Sequence, residues 1–346
     1  MDWLLVMWIA LLVVGLGLLV KGADWFVDGS AGIARKANVS PLLIGLTIVA
    51  FGTSAPELAV SVTGAIQGVT DIAVGNVVGS NIANILLILG ITSLIRKLPV
   101  KKNSLTLDLP VLLGAGALLI GFGVWGEKIV WWEGLILLGV LAAYMTVLLV
   151  RAKKEIKAQR LNPPAQEPLE SPDEEKKPEK PKSKVKLWFE KMEGKLWFCI
   201  ILALVGLGMV VGGGILFVEC AKRIASALGA SERIIGLTVV AIGTSLPELV
   251  TSIVAVAKKE TDIAVGNIIG SNIFNILLIA GAASLFHPLA FNLHTNLIDA
   301  LVAFGASVLL YVFALFDKRR LGIPAGVVFL SFYIAYYVYL FLMPAV

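Results

Sequence analysis

The chain has 346 residues, of which 58% are hydrophobic and only 15% are charged. A soluble domain has about 25% charged residues, and a soluble fold of this composition would leave too much apolar surface in water. The net charge of +5 is concentrated in a few loops. It therefore indicates orientation in a bilayer and does not suggest nucleic-acid binding. The composition predicts an all-α polytopic membrane protein whose partner is the lipid bilayer.

Ten apolar stretches can each supply the roughly 20 residues that a spanning helix needs. The first follows an acidic residue, with no Lys or Arg before it, so we expect a retained span and not a cleaved signal peptide. In chain order, the predicted spans are 3–27, 39–66, 71–95, 104–126, 129–151, 195–222, 232–257, 262–286, 294–316 and 321–343.

A charged, proline-rich segment separates the fifth and sixth spans. It has too few apolar residues to form a core, so we expect a solvated tether, and it is too short for a regulatory domain of ordinary size. The predicted organisation is a five-helix repeat at 1–152, a linker at 153–194 and a second, inverted five-helix repeat at 195–346.

The two halves repeat each other at an offset of 191 residues: 71–90 matches 262–281 at 16 of 20 positions. Because five spans are an odd number, the two copies must face opposite ways. The excess of Lys and Arg in alternate loops predicts a cytoplasmic linker and both termini outside the cell. An inverted repeat is typical of transporters, whose substrate site lies near the membrane midplane where interrupted helices meet.

Each repeat carries a Pro-Glu pair inside an apolar run, Pro56-Glu57 and Pro247-Glu248. An ionisable residue at mid-membrane is costly and indicates function. Proline removes a helical hydrogen bond, and the carbonyl groups this frees need partners such as a metal ion. The predicted breaks lie at Thr53–Ser54 in the second span and at Thr244–Ser245 in the seventh.

A second repeated motif places a polar stripe on the third and eighth spans. In "GNVVGSNIAN", Asn76, Ser80 and Asn84 recur every four residues and therefore share one helix face. We expect the second, third, seventh and eighth helices all to be broken and to form a midplane ion site. Asn81 and Asn272 lie off this stripe and are interpreted as bonds between neighbouring helices. The second copy of the stripe is Asn267, Ser271 and Asn275.

These candidate ligands are all oxygen atoms, which select hard cations and not zinc or copper. Ca²⁺ takes about 6–8 oxygens; two bidentate glutamates would supply four, and the carbonyl groups of Thr53 and Thr244 with water could complete the shell. One Ca²⁺ neutralises two carboxylates, whereas Na⁺ would need at least two ions. The empty site would leave buried charges unpaired, which favours exchange over leak. No cofactor is expected.

The paired "GTSAPEL"/"GTSLPEL" and "GNVVGSNIANILL"/"GNIIGSNIFNILL" motifs resemble the two α-repeats of Na⁺/Ca²⁺ exchangers of the cation/Ca²⁺ antiporter superfamily, prokaryotic type. The resemblance implies that the first and sixth helices slide as a pair against the other eight. It also implies that Glu57, Glu248, Thr53 and Thr244 bind Ca²⁺, that Asn84 and Asn275 complete the centre, and that Ala50, Ala241, Ser54, Ser245, Ser80 and Ser271 line flanking Na⁺ sites.

The expected function is therefore electrogenic Na⁺/Ca²⁺ antiport by alternating access in the cell membrane, with no enzymatic activity and with the monomer as the working unit. Potassium-dependent relatives place Asp where this chain has Asn275, so we expect no K⁺ requirement. The nearest alternative is a Ca²⁺/H⁺ antiporter. A cation channel and an intramembrane hydrolase are further alternatives, although a hydrolase would need a general-base partner that the motifs do not provide.

Overall fold

The computed structural model describes residues 3–161, 195–228, 243–316 and 320–342, and these are nearly all helical. The helices are α1 (Trp3–Ala37), α2 (Pro41–Thr53), α3 (Ala55–Ile66), α4 (Thr70–Ile95), α5 (Ser104–Gly126), α6 (Trp131–Leu161), α7 (Leu196–Ala227), α8 (Leu246–Ala257), α9 (Thr261–Phe286), α10 (Asn296–Phe316) and α11 (Ile323–Leu342). Two-residue strands lie between some of them: β1 (Leu98–Pro99), β2 (Lys128–Ile129), β3 (Leu289–Ala290) and β4 (Arg320–Leu321).

The helices account for the predicted spans as far as the described residues reach. Eight of them are long and apolar enough to cross a membrane, and the bent pair α2–α3 makes a ninth span. Only α8 of the predicted seventh span is described, since residues 229–242 lie outside the described part. The predicted linker begins as helix, because α6 continues to Leu161; its remainder, 162–194, is likewise outside the described residues.

The short strands show that the two halves are inverted. β1, which follows α4, pairs antiparallel with β4, which follows α10. β2, which follows α5, pairs in the same way with β3, which follows α9. The ends of the third and ninth spans therefore share one membrane face, and the ends of the fourth and eighth share the other. Since α4 and α9 are equivalent in the repeat, they end on opposite faces.

The motif helices α4 and α9 form the centre of the molecule. Every residue of α9 from Ile263 to Phe274 is buried, and α4 and α9 supply much of the main hydrophobic cluster. The prediction that both are broken is wrong. Each runs continuously through a π-helical segment, Ala83–Ile88 in α4 and Asn275–Ala280 in α9. Neither helix contains a proline, and a π-turn absorbs an extra residue without ending the helix.

Helices α1 and α7 pack antiparallel along a seam of glycines seven residues apart. Gly22 approaches so closely that a Cβ atom there would lie 2.7 Å from the backbone nitrogen of Val210. Gly29 approaches Ala203 in the same way, at 2.5 Å from its backbone nitrogen. Small residues permit such close contact between membrane helices. The seam joins α1 and α7 into one unit.

Ion pairs attach α1 to the loop between α8 and α9. Lys258, which follows α8, pairs with both Asp24 and Asp28 of α1. Arg35, near the end of α1, pairs with Glu260 at 3.3 Å. These contacts all lie toward the carboxyl end of α1, which the charge distribution predicts to be cytoplasmic.

Candidate cation-binding site

The break in the second span lies at Ser54, between α2 and α3. Ser54 has φ −84° and ψ 2°, outside the helical region, and the two helices meet at an angle of 45°. Its repeat equivalent, Ser245, has φ −90° and ψ 7° immediately before α8. The predicted break is therefore confirmed at Ser54; in the seventh span the described residues show the turn at Ser245 and the start of α8, and residues 229–242 before it lie outside the described part. Both serines lie two residues before the prolines, and Ala55 and Leu246 already begin the next helices.

These breaks place the two glutamates in the first turns of α3 and α8. A helix amino terminus favours negative charge through its exposed N–H groups and dipole. Glu57 and Glu248 are each only 1% exposed, and the hydroxyl of Ser54, three residues before Glu57, contacts the Glu248 carboxylate. The acidic groups of the two halves therefore meet in the interior of the protein.

Little in the described protein satisfies the charge of either carboxylate. Among the described residues, neither oxygen of Glu57 has a hydrogen-bond partner, and Oε2 of Glu248 has none. Oε1 of Glu248 accepts a hydrogen bond of 3.0 Å from the hydroxyl of Ser54, in the opposite half. A buried carboxylate without a cationic partner is strongly unfavourable. The pair thus has the free oxygen atoms that a cation would bind.

Hydroxyl groups from both halves surround the glutamates. Thr53 donates to Oδ1 of Asn267 at 3.1 Å and lies 3.5 Å from the hydroxyl of Ser271. Ser245 donates to the hydroxyl of Ser80 at 3.4 Å. Each contact joins residues of opposite repeats. The Thr-Ser motif of each repeat therefore contacts the polar stripe of the other repeat, although the two repeats are almost 200 residues apart in the sequence.

The remaining predicted site residues differ in how well the structure places them. Asn84 and Asn275 are each 1% exposed and lie at the starts of the π-helical segments. Ala50 is fully buried, and its carbonyl oxygen lies 3.4 Å from the Thr53 hydroxyl. Thr244 lies in the turn before α8 and is half-buried. Ala241 lies outside the described residues.

Two further pairs of residues brace the broken helices, and each joins an asparagine of the predicted polar stripe to a serine that the sequence analysis did not single out. Asn76 donates to the carbonyl oxygen of Glu57 at 3.1 Å and to the hydroxyl of Ser61 at 2.9 Å. Asn267 donates to the hydroxyl of Ser252 at 3.1 Å. Ser61 and Ser252 lie four residues after the glutamates in each repeat, so this recurrence could have identified them.

The donor set fits a hard cation. It consists of carboxylate, hydroxyl, amide and backbone oxygens, the ligand types that Ca²⁺ prefers over thiol or imidazole. Within the described ranges, no cluster of three or more His, Cys, Asp or Glu residues could hold a metal. The site therefore carries two formal negative charges among neutral oxygens, which suits an ion that must bind and leave.

Comparison with known proteins agrees with this geometry. The profile of the family described as sodium/calcium exchanger protein matches residues 7–150 and 198–342, so both halves are covered. The chain belongs to this family. The sequence-based resemblance is thus confirmed, and the site described above lies inside the matched regions.

Individual relatives match along almost the whole chain. Sodium/calcium exchanger MaX1 of Methanosarcina acetivorans is 36% identical, covering 96% of this chain and 97% of its own. Putative antiporter CaxA of Alkalimonas amylolytica is 37% identical, covering 95% of this chain and 97% of its own. Solved structures of the sodium-calcium exchanger NCX_Mj match with a TM-score of 0.78 and 32% identity, covering 97% of this chain and 99% of theirs. Both halves of the chain therefore have the same fold as the NCX_Mj exchanger.

Proposed function

We propose that this protein exchanges Na⁺ for Ca²⁺ across the cell membrane by alternating access. The observation that carries the proposal is the pair of buried glutamates, which come from inverted repeats and have three of four carboxylate oxygens without a donor in the described protein. Family membership and the exchanger relatives support the same conclusion. A site of charge −2 is neutralised by one Ca²⁺ or by two Na⁺, so both ions compete for the same charge.

Each proposed ligand has its own part in this scheme. Glu57, Glu248, Thr53 and Thr244 bind Ca²⁺, and Asn84 and Asn275 complete the centre with their amide groups. Residues on either side of the glutamates hold Na⁺ through their hydroxyl or backbone oxygens. They are Ala50, Ala241, Ser54, Ser245, Ser80 and Ser271.

Obligatory exchange follows from the cost of the empty site. Two buried carboxylates without a cation repel each other and are unsolvated, and leaving a buried charge uncompensated costs about 3–5 kcal/mol. The carrier therefore changes its access state when cations occupy the site and not when it is empty. Each chain contains both halves of the site, so a monomer is sufficient for transport.

The test is calcium uptake into vesicles that contain the purified protein. An outward Na⁺ gradient should drive uptake of radioactive Ca²⁺, whereas K⁺ or H⁺ gradients should not. Uptake driven by a pH gradient without Na⁺ would favour a Ca²⁺/H⁺ antiporter. An imposed potential should change the rate, because more than two Na⁺ per Ca²⁺ moves net charge, with about 2.3 kcal/mol per charge available at 100 mV.

Substitution of the glutamates tests the ligand assignment. Glu57→Gln and Glu248→Gln each remove one of the two negative charges that bind the cation. We expect the binding free energy to fall by about 3–5 kcal/mol, which lowers the Ca²⁺ affinity roughly 100-fold or more. Glu133→Gln is a matched control, because Glu133 is also buried but binds the backbone nitrogen of Val130 outside the site. Retained transport in both site variants would reject the assignment.

The proposed topology has a cytoplasmic linker between the repeats at 1–152 and 195–346, with both termini outside. Its support is the Lys and Arg excess in the linker and in alternate loops. A protease site inserted at 170–175 should be cut in inside-out membranes and protected in right-side-out cells. Cleavage only from the outside would reverse the orientation.

A further inference from the structure

Two buried asparagines next to the cation ligands are not among the proposed ligands. Asn81 on α4 and Asn272 on α9 occupy equivalent positions in the two repeats, and they are 2% and 0% exposed. A buried amide group normally has hydrogen-bond partners at both ends. The partners of these two side chains differ, although their sequence contexts are nearly the same.

Asn81 uses both ends of its amide group to connect the two repeats. Its Nδ2 donates to the carbonyl oxygen of Asn272 at 3.3 Å, and its Oδ1 accepts from Nδ2 of Asn275 at 3.1 Å. The amide of Asn275 is planar, so fixing its nitrogen turns its oxygen to the opposite side. That oxygen has no donor in the described part of the chain and is available to a cation.

The equivalent contact in the other half is not made. Asn272 donates to the carbonyl oxygen of Ile268 on its own helix at 2.6 Å. Within the described ranges, Oδ1 of Asn272 and both amide atoms of Asn84 have no hydrogen-bond partner. The equivalent bond would join Nδ2 of Asn84 and Oδ1 of Asn272, which are both buried and have no partner in the described part of the chain.

The serines at the helix breaks show the same asymmetry: the serine of the first repeat bonds a glutamate of the second, and its equivalent does not bond a glutamate. Ser54 of the first repeat donates to Glu248. Its equivalent Ser245 donates to Ser80, and Glu57 has no donor among the residues that the structure describes. Two hydrogen bonds, Ser54–Glu248 and Asn81–Asn275, therefore connect the first repeat to ligands of the second. The equivalent bonds from the second repeat to Glu57 and Asn84 are not made.

We propose that Asn81 and Asn272 are positioning residues that orient the amide oxygens of Asn275 and Asn84, each in a different access state. The proposal rests on the exchange function above. In an inverted repeat, access alternates around a fixed central site, so we take the opposite-facing state to be the one in which the two halves exchange their local hydrogen bonds at that site. The Asn81–Asn275 bond is then replaced by the Asn272–Asn84 bond.

The test compares the apparent KM for Ca²⁺ at each face of vesicles with uniformly oriented protein. Asn81→Leu removes the hydrogen bonds at similar volume and should raise the KM about tenfold at one face. Asn272→Leu should raise it by a similar factor at the opposite face. Equal effects at both faces, or no effect at either, would overturn the proposal. Thr92→Val is the control, because Thr92 is buried on α4 and, among the described residues, its hydroxyl bonds only carbonyl groups of its own helix.

A double-mutant cycle separates positioning from a structural role. If Asn81 acts through Asn275, then adding Asn81→Ala to Asn275→Ala should not weaken Ca²⁺ binding further, whereas additive losses would overturn the proposal. Calorimetry on detergent-solubilised protein measures this binding without transport, and the Ala variants replace any Leu variant that does not fold. Absence of Na⁺-driven uptake by the wild type, with non-additive binding losses intact, would contradict only the exchange function.

Discussion

The seam between α1 and α7 allows a sharp test at Gly22. A Cβ atom there would lie 2.7 Å from both the Val210 nitrogen and the Met209 Cβ, where ordinary contact is 3.4–4 Å. Gly22→Ala therefore requires the helices to separate by about 1 Å, and such a gap forfeits a quarter to a half of each contact energy along the seam. Overpacking of this kind costs about 1–3 kcal/mol.

Gly17→Ala is the matched control on the same helix. A Cβ atom at Gly17 would meet no atom of the described residues within 4 Å. Both substitutions gain about 1 kcal/mol of helix propensity relative to glycine, so this gain cancels when the two variants are compared. The Gly22 variant should therefore be less stable than the Gly17 variant by the overpacking cost alone, about 1–3 kcal/mol.

The measurement is unfolding of the purified protein in mixed micelles titrated with a denaturing detergent, followed by circular dichroism. We expect the Gly17 variant to unfold at or above the wild-type midpoint and the Gly22 variant clearly below it. Equal midpoints for the two variants would show that α1 and α7 are not in backbone contact at Gly22, and the packing argument would fail.

Two further predictions use the same unfolding assay. Lys258→Gln removes the ion pairs to Asp24 and Asp28 and should cost about 1 kcal/mol at neutral pH. Burial alone would lower the pKa of Lys258, but these two partners raise it. The stabilisation is therefore complete below about pH 10.4 and is lost at more alkaline pH, where variant and wild type should converge; a constant difference would contradict this. Tyr144→Phe removes the 3.0 Å hydrogen bond to the buried Asp108 and should cost about 1–3 kcal/mol, so an unchanged midpoint would refute it.

The burial of the paired glutamates could be predicted from the sequence because its features are local and repeated. Glu57 and Glu248 each follow a proline in an apolar run, and the cost of a charge in a membrane leaves few interpretations other than function. The repeat offset then assigns the remaining ligands in pairs. The repeat also predicts the inverted architecture, because each copy has an odd number of spans.

The differences between the halves could not be predicted, because the repeated sequence is nearly the same on both sides. Asn81 and Asn272 have the same neighbours in sequence, yet only Asn81 bonds a ligand of the other repeat. Choosing one of two equivalent hydrogen-bond sets is a property of the conformational state. The π-helical segments were missed for a different reason: they have no residue type, such as proline, that marks them.

The hydrogen bonds at the central site and the ion pairs of Lys258 at the periphery have different effects on the equilibrium between the two access states. When the halves exchange conformations, each central bond that is lost has an equivalent bond to replace it, so these bonds, worth about 1 kcal/mol each, shift the equilibrium little. The ion pairs of Lys258 have no such replacement. The repeat equivalents of Lys258, Asp24 and Asp28 are Gln67, Ile215 and Glu219, and the uncharged Gln67 cannot form an ion pair with either of the others. We infer that these peripheral charges favour the state described here, and that Lys258→Gln shifts the population toward the opposite one.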